Sequence, residues 1–145
     1  MLATKVRFGI ITLLISVFSI GILTTGVFAN EPIEPQMRKV NLSIPVNESM
    51  PPYGNLSLTN YVSLNRYTGY TLKAMTIHGT VFDRRASIDV YLDGSPIAFG
   101  TQINGFDRRT SVELFRSPRL GSHADLTLRT DNPVEIYDVS LVLEK

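Results

Sequence analysis

The sequence predicts an all-β protein, a sandwich of two antiparallel sheets with about eight strands. Short runs of the chain alternate apolar with polar residues, the period of a strand that buries one face. No segment after residue 37 carries the 3.6-residue period of an amphipathic helix. Clusters of Pro, Gly, Asn and Asp separate the runs, as they do where a chain reverses direction.

The chain begins with the three-part pattern of a secretory signal peptide. Lys5 and Arg7 precede an uncharged apolar run, and Val27-Phe28-Ala29 supplies small residues for cleavage after Ala29. An uncleaved membrane anchor is the rival interpretation, because the uncharged span 8–30 is long enough to cross a bilayer. Both interpretations place the rest of the chain outside the cytoplasm, in a secreted, periplasmic or cell-surface protein.

Three parts of the chain follow from this pattern. Residues 1–29 are predicted as the signal peptide, residues 30–37 as a Pro- and Glu-containing linker, and residues 38–145 as one β-sandwich domain. Loss of Lys5 and Arg7 with the leader reduces 14 Lys and Arg to 12, against 13 Asp and Glu. This near-neutral balance gives no argument for nucleic acid. Because the chain has no cysteine, no disulfide can support the domain and its core must hold it together.

Eight runs are predicted as strands. They lie at 38–46, 56–64, 70–82, 86–92, 96–103, 110–116, 123–130 and 133–144. Val90 in the fourth run and Phe99 in the fifth are predicted to face the core, from the parity of their apolar neighbours. The third run changes parity after Leu72 and the eighth after Ile136, which predicts a bulge or burial on both faces.

Residues that favour turns separate most of these runs. They occur at 50–55, 93–96, 104–105, 117–121 and 131–133. Gly and Asn adopt the dihedral angles of tight turns, and Pro cannot donate to a strand ladder. Since every turn reverses the chain, connections two apart are expected to emerge at the same end of the sandwich.

A resemblance can be stated from two segments, TLKAMTIHGTVFDRRASIDVYLDGSPI and ADLTLRTDNPVEIYDVSLVLEK. They resemble the jelly-roll sandwich of carbohydrate-binding modules and galactose-binding-like domains, in which a strand ending in VYLDG precedes a hairpin and a strand like VEIYDVSLVL completes the sheet. The resemblance implies a scaffold used for sugar recognition and identifies no binding residue. An immunoglobulin-like sandwich is the alternative fold, although the Cys pair and Trp of that family are absent.

Residues suited to catalysis or metal binding are sparse. His78 and His123 are the only histidines, and neither lies in a motif for nucleophilic catalysis or zinc. His78 is predicted to be a hydrogen-bonded structural residue in a strand, and His123 a solvated loop residue. Asp93 and Asp131 are predicted to cap turns rather than to bind calcium. We therefore expect no enzyme activity, no metal and no cofactor.

Tyrosines favour a binding function. Tyr53, Tyr61, Tyr67 and Tyr70 fall within residues 53–70, with Arg66 among them. A tyrosine ring suits the flat face of a sugar or the surface of a protein partner. The alternative is that two or three of these rings cover the edge of the sandwich.

The segment FDRRASIDVY (82–91) returns as FDRRTSVELF (106–115). Both DRR triplets are predicted as turns at the same end of the sandwich, together with Asp131-Asn132-Pro133. Their arginines either pair with their own aspartates or converge on a carboxylate or phosphate. The arginines in question are Arg84, Arg85, Arg108 and Arg109. The strands that follow the triplets are expected to share one sheet and to show an acid and an aromatic residue twice on its outer face.

These features predict an exported, non-catalytic module that binds a glycan or another component of the cell envelope. The expected binding residues are those of the tyrosine-rich region and the four arginines. A structural or assembly subunit that binds a protein partner is the alternative. Contact with a membrane is expected only through the N-terminal segment.

Overall fold

Two four-stranded antiparallel sheets, packed face to face, make up the fold. The computed structural model describes residues 36–145. Its strands are β1 (Lys39–Met50), β2 (Asn55–Ser57), β3 (Thr71–Thr80), β4 (Ala86–Leu92), β5 (Ser95–Ile103), β6 (Arg108–Ser111), β7 (Leu126–Thr130) and β8 (Val134–Glu144). The first sheet has the order β1-β8-β3-β6 and the second the order β2-β7-β4-β5. The predicted signal peptide and most of the predicted linker lie outside the described residues.

The pairing of the strands is nested. β4 pairs with β5, β3 with β6, β2 with β7 and β1 with β8. A long hairpin that folds over on itself has this pairing, and the contacts of β3 with β8 and of β4 with β7 then complete the two sheets. Such an eight-stranded order is jelly-roll-like and confirms the predicted fold class. An immunoglobulin-like sandwich would place the first two strands in one sheet, which is not the order found here.

One hydrophobic core fills the space between the sheets. The central strand β4 alternates strictly, with Ile88 and Val90 fully buried and Asp89 and Tyr91 on the outer side. The core cluster contains residues of both sheets; Leu72 of β3 is an example from the first sheet. The prediction that Val90 faces the core is confirmed. In residues 36–145, no helix is long and apolar enough to span a bilayer.

Both predicted changes of parity are bulges. The pairing of β3 with β8 shifts between Leu72 and Ala74 and again between His78 and Gly79. At the second shift the backbones come so close that a Cβ on Gly79 would lie 2.5 Å from the carbonyl oxygen of Glu135. Each extra residue turns the side chains that follow it to the other face, which accounts for the sequence pattern.

The second predicted strand, 56–64, is wrong beyond Ser57. A short 3-10 helix, Leu58–Asn60, follows Ser57 directly, and a second one, Asn65–Tyr67, begins just after the predicted strand ends. Leu58 and Leu64 are nevertheless 0% and 1% exposed. The sequence pattern therefore predicted the burial of these leucines correctly, although the backbone there is not a strand.

The sixth strand was predicted too late, at 110–116, and in the wrong sheet. β6 contains Arg108 and Arg109 and pairs with β3, so it lies in the first sheet, whereas β4 lies in the second. After Ser111 the chain crosses between the sheets. The Val112 amide donates to the carbonyl of Met75 in β3, and the Phe115 amide to that of Ile97 in β5, both at 2.9 Å.

Candidate functional site

The two FDRR segments lie side by side at one end of the sandwich, as predicted. The rings of Phe82 and Phe106 meet edge to face, with their centroids 5.6 Å apart. The turn between β7 and β8 contacts the first of these segments, because the side-chain amide of Asn132 donates to the Arg85 carbonyl at 3.1 Å. We call this surface the arginine pole and define it by Phe82, Arg84, Arg85, Phe106 and Arg108.

The guanidinium groups of the arginine pole are not neutralised by their own aspartates. Within residues 36–145, every ion pair involves His78 or Asp138. Arg84, Arg85 and Arg108 are exposed and have no carboxylate partner in this part of the chain. Exposed cations without an internal partner are free to bind an external anion.

A hollow of about 250 Å³ opens at the pole beside Arg84. Phe82 and Pro133 supply its apolar wall, and Asp83, Arg84 and Asn132 supply polar groups. Pockets for drug-sized ligands measure about 300–1,000 Å³, so this one fits a single ring or side group. The pole therefore offers a shallow contact surface with one small recess.

The fourth arginine, Arg109, belongs to a separate network centred on His78. Its Nη1 lies 3.7 Å from Asp138 Oδ1. His78 Nδ1 contacts Asp138 Oδ2 at 2.7 Å, and Nε2 contacts Asp107 Oδ1 at 2.6 Å. The hydrogen bond to Asp138 raises the pKa of His78 most, and that to Asp107 raises it further, while burial lowers it. Both ring nitrogens thus face carboxylates, unlike the base of a catalytic triad, which keeps one nitrogen for the nucleophile.

Three of the predicted binding tyrosines are partly buried. Tyr61, Tyr67 and Tyr70 pack against the core. The rings of Tyr67 and Tyr70 meet edge to face at 5.8 Å, and Lys145 Nζ lies 5.7 Å from the centroid of Tyr70. Arg66, in the second 3-10 helix, is exposed. These rings cover one end of the sandwich, near the start of β3.

Tyr53 lies apart from the other three tyrosines. It is 72% exposed and has a left-handed backbone, with φ of 59°, in the turn between β1 and β2. A hollow of about 220 Å³ separates it from Asp89, Arg129 and Asp131. Because β1 ends beside the start of β8, this turn lies at the same end as the arginine pole. The structure therefore divides the tyrosine-rich region between the two ends.

Another aromatic surface contains Tyr91 and Phe115, the two aromatic residues predicted for an outer face, together with Phe99. Tyr91, Phe99 and Phe115 lie in a row, with centroid distances of 6.4 Å and 5.2 Å. Phe99 is 53% exposed and Phe115 is 60% exposed. The prediction that Phe99 faces the core is wrong, because an irregularity in the pairing of β4 with β5 buries Ile97 and Ala98 together. We call these three residues the aromatic patch.

The remaining residues singled out in the sequence have structural contacts. Asp131 Oδ1 accepts the Ser87 amide at 2.7 Å, and Asp93 Oδ1 accepts the Asp125 amide at 2.8 Å, so each aspartate binds a distant segment of the chain rather than an amide of its own turn. His123 is exposed and contacts Ser122. No group of three or more His, Cys, Asp or Glu in residues 36–145 is placed to hold a metal ion.

No family model matches the chain, and no curated protein matches it. The described residues form an all-β, two-sheet antiparallel sandwich that is compatible with a jelly roll.

Proposed function

We propose that the chain is an exported, non-catalytic module that binds an acidic glycan of the cell envelope through the arginine pole. The observation that carries this proposal is the set of three exposed guanidinium groups, without carboxylate partners in residues 36–145, beside two exposed phenyl rings. A guanidinium group binds a carboxylate through two parallel hydrogen bonds. Phe82 and Phe106, 63% and 64% exposed, add flat apolar faces of the kind that pack on the C–H groups of a sugar ring.

A polymer suits this surface better than a small molecule. The recess is small, and the arginines come from two separate FDRR segments, Arg84 and Arg85 from the connection before β4 and Arg108 from the start of β6. A chain with a repeated carboxylate can contact both segments at once, so that several weak contacts add up to useful affinity. The leader pattern of residues 1–29 supports a location where such polymers occur.

The test uses polygalacturonate as an acidic probe and dextran as a neutral control, in a binding titration at several salt concentrations. Wild type is expected to bind polygalacturonate, and to bind it less tightly as salt rises. The triple variant Arg84→Gln/Arg85→Gln/Arg108→Gln is expected to raise Kd about tenfold, since each exposed ionic contact contributes only modestly.

A matched control removes the same number of charges elsewhere. Arg38, Lys39 and Lys73 are exposed and lie near the opposite end, where β1 and β3 flank the end of β8. Their triple substitution by Gln should leave Kd within about twofold. An equal loss of affinity in the two triple variants, or binding of dextran as tight as that of polygalacturonate, would contradict recognition at the pole. Binding to anionic phospholipid vesicles without binding to polygalacturonate would identify a lipid headgroup instead and reject the glycan.

Export is tested separately. The N-terminus of the protein recovered from its native host is expected to be Asn30, because cleavage after Ala29 fits the leader pattern. A protein recovered with an intact Met1 in the cytoplasm would reject this part of the proposal.

The aromatic patch favours a second candidate function, assembly with another copy of the chain. Exposed aromatic rings in contact with one another are typical of the centre of a protein interface. Light scattering should then show a size that rises with concentration, and Phe99→Ser should abolish the rise. Phe82→Ser, which changes an equally exposed ring at the arginine pole, is the control and should leave the size unchanged. A monomer at all concentrations would reject this candidate.

A further inference from the structure

His78 connects the first sheet to the second FDRR segment. It lies in β3, with its side chain 15% exposed, opposite Asp138 of β8. Its second partner, Asp107, directly precedes Arg108 of the arginine pole. Asp107 has a left-handed backbone, with φ of 51°, and its amide donates to Thr80 Oγ1 at 2.8 Å. These two contacts of Asp107 with β3 add to the pairing of β3 with β6, which begins at the next residue.

The two carboxylate contacts of His78 require a proton. A protonated imidazole has an N–H on each nitrogen and can donate to Asp138 and Asp107 at once. A neutral imidazole has one N–H, and its other nitrogen would then present a lone pair to a carboxylate oxygen at 2.6 Å or 2.7 Å. Loss of the proton must therefore break one of the two contacts.

Asp107 is the partner that can leave. Its side chain is 82% exposed, whereas that of Asp138 is 21% exposed and also lies near Arg109. The groups that face His78 are Asp138 and Tyr137 from β8, and Asp107 and Arg109 from the second FDRR segment. β1 places only Pro45 at this level, opposite Asp138. Release of Asp107 leaves its carboxylate next to Arg108 in the chain.

We propose that His78 is a proton-operated latch: when protonated it holds Asp107 against the first sheet, and when neutral it releases this carboxylate toward Arg108. The released carboxylate then competes with an acidic glycan for the arginine pole, a consequence that rests on the proposed function. Because both hydrogen bonds raise the pKa of His78, the latch is closed below about pH 6.5 and opens as pH rises through the raised value. Binding at the pole should accordingly be tighter in mildly acidic than in alkaline solution.

The latch itself is tested by NMR, without a ligand. The imidazole signals of His78 and the backbone amides of Asp107 and Arg108 are followed from about pH 5 to 9. We expect the two amides to shift with the midpoint of His78, and Asp107→Asn to lower that midpoint. Asp83→Asn, the same change in the first FDRR segment, is the matched control and should leave it unchanged. Amide shifts that do not follow the His78 titration, or an unchanged His78 midpoint in Asp107→Asn, would overturn the latch.

The coupling to the pole is tested with polygalacturonate at about pH 6 and pH 8.5. Wild type is expected to bind about fivefold more weakly at the higher pH, and Asp107→Asn to lose most of this difference. Equal binding of wild type at both values, with the NMR result as expected, would overturn the coupling and leave the latch. Absence of binding at both values would reject the proposed function and the coupling, while the NMR result decides the latch.

Discussion

Val90→Ala is expected to lower the free energy of unfolding by about 2 kcal/mol. Val90 is fully buried in β4, opposite Ala98 of β5 and Leu128 of β7. The substitution removes two methyl-sized groups, which contribute about 0.8 kcal/mol each and about 1.6 kcal/mol together. A cavity term adds to this value, because hydrogen bonds hold β4 on both sides and the small side chain of Ala98 cannot fill the space.

Urea unfolding followed by far-UV circular dichroism measures this loss, and an unchanged m-value shows that the transition itself is the same. Val142→Ala is the matched control, since it deletes the same atoms from a half-buried position on the outer side of β8. It should cost less than about 1 kcal/mol. If Val90→Ala cost no more than Val142→Ala, the argument from strand parity to core burial would be refuted.

Two further predictions concern the region where β3 meets β8. Gly79→Ala is expected to destabilise the fold by about 1–3 kcal/mol, because the new Cβ would press on the Glu135 carbonyl, which the strand pairing holds in place. Gly121→Ala, with nothing within 4 Å of its Cβ, should be nearly neutral in the same urea experiment. The raised pKa of His78 means that its contribution to stability is complete below about pH 6.5 and is lost as pH rises through the folded value. His78→Gln should flatten this part of the stability profile, and a profile that keeps its slope would contradict the assignment.

Alternation in the sequence predicted the fold well because it measures burial. The bounds predicted for β4, β5 and β8 are each within one residue of those in the structure. The length of β2 was overestimated, because Leu58, beyond the end of the strand, is buried and follows Leu56 at the two-residue spacing of a strand. The spacing of Leu56 and Leu58 does not show where the ladder ends, because Leu58 is buried although it starts a 3-10 helix. Which backbone forms depends on whether a partner strand is available, and β2 pairs with β7 over only three residues.

The candidate site was predicted in part. The two DRR connections could be placed at one end because strand direction follows from counting turns. The tyrosine-rich region could not be placed in this way. Its residues are close along the chain, yet Tyr53 lies at one end of the sandwich and Tyr70 at the other. The aromatic patch depends on two events that leave no periodic signal, the crossing of the chain after Ser111 and the irregular pairing that exposes Phe99.

The repeated FDRR segments show how the same residues acquire different electrostatic roles. The first copy leads into β4 of the second sheet, and Asp83 has no ion pair in the described part of the chain. The second copy leads into β6, which lies against β3, and this neighbour brings His78 to Asp107. The difference follows from the strand order, because β4 lies in the second sheet and β6 lies in the first, beside β3. The arginine pole is therefore an asymmetric surface: Asp83 has no ion pair among residues 36–145, whereas Asp107 contacts His78.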